Sequence, residues 1–85
     1  MIDLTARDKQ ILQLLVNGNT RKQIAADLGI SGKTVRNHFN NMRKKYNVAT
    51  RAEMIAHAVA RGDVYVYLGE VQMDVEFFHQ SHSPL

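Results

Sequence analysis

A chain of 85 residues and 9.7 kDa supports one small domain with a modest core, so pairing with a second copy is a natural further source of stability. It has no cysteine, which excludes disulfides, thiolate zinc sites and cysteine nucleophiles, and its apolar runs fall far short of the roughly 20 residues that span a bilayer. The net charge of +3 conceals an asymmetry: residues 21–51 hold eight of the eleven Lys and Arg against one acid, Asp27, whereas residues 64–85 hold Glu70, Asp74 and Glu76 with no Lys or Arg. A middle of +7 beside a tail of −3 confines any polyanion footprint to the middle.

In chain order, Met1-Ile2-Asp3-Leu4 lacks the basic and apolar regions of a signal peptide, and a cytoplasmic protein is expected. A first helix should open at Thr5, with Asp8 completing a capping box, and stop at Gly18. Ile11, Leu12, Leu14, Leu15 and Val16 give it a broad apolar side; Arg7, Lys9, Gln10 and Gln13 are left to water. Thr20 and Gln23 open a second helix in the same way, with Ile24, Ala25 and Leu28 inward. Gly29 then provides the positive φ of a tight helix end, and Ile30 enters the core before Ser31 caps the next helix. Two short helices joined by Leu28-Gly29-Ile30-Ser31 make a helix-turn-helix.

Residues 31–46 read as one amphipathic helix. Val35, Phe39, Met42 and Tyr46 fall on a narrow apolar stripe, while Lys33, Asn37, Asn40, Asn41 and Lys44 cluster opposite, flanked by Arg36 and Arg43. Cations can bind phosphate or guanine and carboxamides can bond twice to adenine, so this polar face suits a DNA major groove. His38 sits beside the apolar stripe, where a structural role or a phosphate contact fits better than base reading. Thr50 and Glu53 cap a fourth helix running to about Arg61 and stopped by Gly62. Its core side is expected to be Ala52, Ile55, Ala56 and Val59. A second stripe of Met54 and Ala58, beside His57 and Arg61, is expected to be a dimer interface.

The remainder changes character. Val64 to Leu68 is rich in β-formers, Gly69-Glu70 suits a tight turn and Val71 to Phe77 alternates apolar and polar, which predicts a β-hairpin over 63–78 and a disordered tail over 79–85. The fold class expected is mainly α, a four-helix helix-turn-helix domain over 1–62 with that hairpin appended. His79-x-x-His82 lacks a third ligand and Pro84 follows, so no metal is expected, and no cofactor. With no nucleophile elbow, phosphate loop or paired carboxylates, an enzyme is not expected either.

Taken together, Leu4-Thr5-x-Arg7, Ile11-Leu12, Gly18, Thr20, Lys22, Ile24-Ala25, Leu28, Ile30-Ser31, Thr34-Val35-x-x-His38, Lys45, Val48 and Arg51 resemble the LuxR/GerE-type helix-turn-helix of bacterial transcription regulators. The resemblance spans residues 4–62. It implies a third helix in the major groove and dimerisation through the fourth. On the matching positions Arg36, Asn37 and Asn40 would read bases, with Lys33 at the groove edge; Thr20, Lys22, Ser31, Thr34, Lys45 and Arg51 would hold phosphates. The implied partners are double-stranded DNA with a roughly palindromic operator, a second copy of the chain, and RNA polymerase or a related regulator.

Asp8 stands where that family usually has Glu, and Asn47 where Gly is common. The family's domain usually follows a receiver or ligand-binding domain, whereas this chain opens at Met1, so the usual input is expected to be absent. A reading of another class makes the chain a small adaptor or anti-regulator that pairs with a related regulator through the fourth helix or the hairpin. A sigma-factor-like promoter-reading domain is a third, which the Lys45 to Arg51 segment fits less well.

Overall fold

Every helix begins where a hydroxyl side chain takes up an orphan backbone N–H. In the computed structural model, which describes residues 2–66, the helices are α1 (Ala6–Val16), α2 (Arg21–Leu28), α3 (Gly32–Tyr46) and α4 (Arg51–Arg61). The N–H of Asp8 donates to Thr5 at 2.9 Å, Gln23 to Thr20 at 3.1 Å, Thr34 to Ser31 at 3.0 Å and Glu53 to Thr50 at 3.1 Å. In α1, α2 and α4 the third helical residue also returns a bond to the cap's own N–H, so the three predicted capping boxes are present.

The helix ends share one geometry as well. The N–H groups of Asn19, Ile30, Val48 and Asp63 reach back to the carbonyls of Leu14, Ala25, Arg43 and Ala58 at 2.9–3.1 Å, the long bond of a Schellman motif. Gly29 supplies the left-handed residue between α2 and α3, with φ 68°. After α3 the same task falls to Asn47, with φ 59°, a conformation that costs Asn less than most side chains.

α3 packs against all three other helices and supplies Val35, Phe39, Met42 and Tyr46 to the core, the stripe expected from its spacing. Around it close Ile11 and Leu12 of α1, Ile24 and Ala25 of α2, Met54 and Ala58 of α4, and Val64 beyond α4. Leu4, Leu15, Leu28, Ile30 and Val48 seal the margins. The helix-turn-helix is thus one side of a small bundle, held rigid by burial on its inner faces.

Two expectations need correction. Met54 and Ala58, read as an exposed dimer stripe, are both 0% exposed in the core, whereas Ala52, Ala56 and Val59, read as core, are exposed and Ile55 is half-buried. α4 carries two apolar stripes, and the short Asn47 to Thr50 connection sets the side containing Met54 and Ala58 against α3, where the small Ala58 permits close approach. A side chain with no accessible surface offers nothing to a second protein, so these two leave the interface set. The predicted hairpin and tail lie outside the described residues from 67 onward; Val64, Tyr65 and Val66 are described and form no strand.

These last residues instead dock onto the bundle. The Tyr46 hydroxyl donates to Asp63 at 2.7 Å, and Arg61 reaches the same carboxylate at 3.2 Å. Burial and the adjacent Asp63 carboxylate push the Tyr46 phenol well above its usual range, while the Tyr46 O–H and Arg61, against the effect of burial, hold Asp63 below its own. The Gln13 carboxamide donates to the Tyr65 carbonyl at 2.7 Å and accepts from the Tyr65 N–H at 2.9 Å, tying the exit of the chain to α1.

Candidate nucleic-acid interface

The face of α3 turned away from the core carries Lys33, Thr34, Arg36, Asn37, Asn41 and Lys44, all exposed. Helical spacing sorts the rest by flank. Arg36 and Arg43 stack on one side, His38 and Lys45 on the other, each pair seven residues apart.

The two flanks are used differently. On the second, both groups close on Asp8 of α1, a carboxylate only 3% exposed. Its Oδ1 lies 2.7 Å from His38 Nδ1, and its Oδ2 accepts from the Lys45 ammonium at 2.8 Å and from the Thr5 N–H at 3.1 Å. Burial alone would raise the Asp8 carboxyl, but the bonds from Lys45, His38 and Thr5 outweigh it and hold the group at about 2. A capping residue therefore also fixes the rotation of the helix that presents the interface.

Sequence reasoning placed Asp8 at a helix cap and missed this second duty. The legible signal was an acid one helix away from the +7 segment, with a histidine and a lysine spaced seven apart on a single flank.

On the first flank, Arg36 forms no ion pair or side-chain hydrogen bond among the described residues, and the same holds for Asn37 and Lys33 on the outer face. Asn40 is half-buried, and its carboxamide oxygen accepts from Arg43. That bond leaves its NH2 donors for a ligand and shields the other half of the group. The three predicted base readers are thus brought onto one surface, Arg36 and Asn37 more openly than Asn40.

The predicted phosphate contacts divide in the same way. Lys22 is exposed on α2. Thr20 and Ser31 spend their hydroxyl oxygens as caps, and the Ser31 and Thr34 hydroxyls lie 2.9 Å apart. With the Thr34 N–H on Ser31 Oγ and the Val35 N–H on the Ser31 carbonyl, the first-turn N–H groups of Gly32 and Lys33 remain for an anion at the positive end of the helix. Arg51 is exposed and lies 4.8 Å from the centre of the Phe39 ring, a cation–π contact that steadies its guanidinium. Lys45 is committed to Asp8. Among the described residues no cluster of three or more His, Asp or Glu could hold a metal ion, and no helix is long and apolar enough to cross a membrane.

The sequence model of the "Bacterial regulatory proteins, luxR family" matches residues 3–58. The chain belongs to this luxR family. It is 39% identical over 61 residues to the spore germination protein GerE of Bacillus subtilis (strain 168), a match covering 72% of this chain and 82% of GerE. The solved structure of the transcription factor GerE superposes with a TM-score of 0.73, covering 75% of this chain and 96% of that one. The transcriptional regulatory protein MctR of Rhizobium johnstonii is 41% identical over 61 residues, covering 72% of this chain but 28% of its own length.

A further structure, of Vibrio cholera VqmA with ligand and DNA, superposes with a TM-score of 0.70 at 35% identity, over 74% of this chain and 28% of VqmA. The luxR-family match covers α1 to α3 and most of α4, and it stops before the Asp63 to Tyr65 docking segment. GerE is a transcription factor and MctR a transcriptional regulatory protein, and the luxR-family helix-turn-helix is the part that this chain shares with them.

Proposed function

We propose that this protein is a sequence-specific DNA-binding transcription regulator that places α3 in the major groove. The observation that carries the reading is the division of labour on that helix. Its apolar stripe is consumed by the core and one flank by Asp8, which leaves Arg36 and Asn37 exposed on a rigid support beside Lys33 and the Asn40 amide. Arg offers two parallel donors to guanine, and Asn a donor and an acceptor to adenine. Lys22, Arg51 and the N–H groups at the start of α3 are suited to the phosphates on either side. VqmA, solved with DNA, supports the same use of a similar fold.

Dimerisation belongs to this proposal, with a revised surface. The stripe of exposed Ala52, Ala56 and Val59 with half-buried Ile55 on α4 is apolar and turned from the core, and a second copy would bury it. His57 and Arg61 are exposed on the far side of α4 from this stripe and fall outside such an interface. The same stripe favours the second reading, an adaptor that captures a related regulator through α4.

Selection of bound duplexes from a random pool at fixed salt tests the proposal. A symmetric consensus with half-sites about one helical turn apart is the expected result. Salt-sensitive binding with no consensus would remove the base-reading role, and capture of a related regulator without DNA retention would favour the adaptor.

A further inference from the structure

We infer that His38 is a phosphate contact that works only in its protonated form, because Asp8 dictates which ring nitrogen carries the proton. This rests on the reading of α3 as the DNA-facing helix. The Asp8 carboxylate accepts two donors on Oδ2, from Lys45 and the Thr5 N–H, and faces His38 Nδ1 with Oδ1 at 2.7 Å. An ionised carboxylate has no proton to give, so Nδ1 carries the hydrogen. A neutral imidazole has one N–H, and with that hydrogen on Nδ1 the other nitrogen, Nε2, is left with a lone pair.

The Asp8 side chain is 4% exposed and the His38 side chain 25%, and Nε2 is the ring nitrogen turned away from the Nδ1 contact with Asp8. Along the same side of α3, Thr34 and Asn41 are exposed one turn before and one turn after. A phosphate oxygen meeting neutral His38 there meets a second acceptor and is disfavoured. Protonation converts Nε2 into a charged donor and the contact into a charge-assisted hydrogen bond.

The charged neighbours sharpen this effect. Lys45 neutralises the Asp8 carboxylate, so protonation of His38 adds a positive charge to the flank instead of completing a balanced pair. Among the described residues no ion pair or hydrogen bond reaches His38 from α2 or α4; His57 of α4 lies against the Tyr46 ring, with centroids 6.5 Å apart.

The test measures binding of the full chain to a random-sequence duplex across about pH 5 to 8 at constant ionic strength, because a phosphate contact is blind to sequence. Wild type is expected to bind roughly three to ten times more tightly at the acidic end, with a salt dependence steeper by about one unit. His38→Asn keeps a donor toward Asp8 and lacks the outer nitrogen, so it should lose this gain and retain only the drift due to His57, His79 and His82. His38→Gln, with a neutral donor near the Nε2 position, should bind at an intermediate level with the same flattened profile.

Nitrogen-15 spectra of the wild-type protein without DNA provide a readout independent of any variant, and neutral His38 should carry its proton on Nδ1. A proton found on Nε2, or an equal pH response in wild type and His38→Asn, overturns the inference. No binding to any duplex at any pH overturns the DNA-binding reading together with it. Tight binding insensitive to pH overturns this inference alone.

Discussion

α3 and α4 are both capped by a hydroxyl, both ended by a left-handed residue and both amphipathic, yet the core face of one follows from its sequence and that of the other does not. α3 has one apolar stripe, and Val35, Phe39, Met42 and Tyr46 are all buried where the spacing places them. α4 has two, and the structure buries Met54 and Ala58 while turning Ala52, Ala56 and Val59 outward, about a third of a turn from the expected orientation. Amphipathicity chooses a face only when a helix offers one. When it offers two, the neighbouring wall chooses, and the rejected stripe becomes surface available for association.

The comparison breaks most visibly in the core. Phe39→Ala should cost about 3 to 5 kcal/mol of stability by denaturant titration, since the ring is 1% exposed and also underlies Arg51. Met54→Ala should cost about 2 to 5 kcal/mol, whereas Val59→Ala on the same helix should stay within about 1 kcal/mol. A larger loss at position 59 than at 54 would mean that α4 is rotated back to its sequence-expected orientation. Val59→Asp, by contrast, should leave the monomer folded and abolish self-association in sedimentation or scattering.

Asp8→Ala comes next, at about 2 to 4 kcal/mol, because it strands Lys45 and His38 and opens the α1 capping box. The matching pH dependence has a definite sign. The folded value of about 2 lies below the ordinary aspartate value of 3.8, so the contribution is fully present above pH 3.8 and is lost as pH falls through 2. Thermal melts in that window should show a loss of about 2 kcal/mol in wild type that is missing in Asp8→Asn.

Arg36→Ala should leave stability unchanged and cost about 1 to 3 kcal/mol of binding at the cognate base pair. Lys45→Ala should reduce stability along with binding. The smallest effect expected is at the end of α3, where Asn47→Ala should cost about 1 kcal/mol and Asn47→Gly should be neutral or slightly stabilising.

Much of the scaffold was legible because it is local chemistry. Thr5, Thr20 and Thr50 cap the helices as their spacing from Asp8, Gln23 and Glu53 suggests, Ser31 caps α3, and Gly29, Asn47 and Gly62 end α2, α3 and α4. The exposed half of the candidate interface was legible for the same reason: Lys33 and Asn37 lie opposite a well-defined stripe, with Arg36 on its flank.

What sequence could not provide was contact across the chain. Asp8 meets partners 30 and 37 residues away, and no helical period reports such a pairing. It turns Lys45 from a free outward cation into a half-buried strut between α3 and α1. Gln13, read as a residue left to water, meets Tyr65 across 52 residues.

That last contact has a mechanical consequence. By bonding both the N–H and the carbonyl of Tyr65, the Gln13 amide substitutes for a neighbouring strand and makes the first helix the anchor point of the outgoing chain. A load applied beyond Val66 is therefore borne by α1 before it reaches α4. Tension on the exit would be felt at the helix whose Asp8 braces α3 through His38 and Lys45.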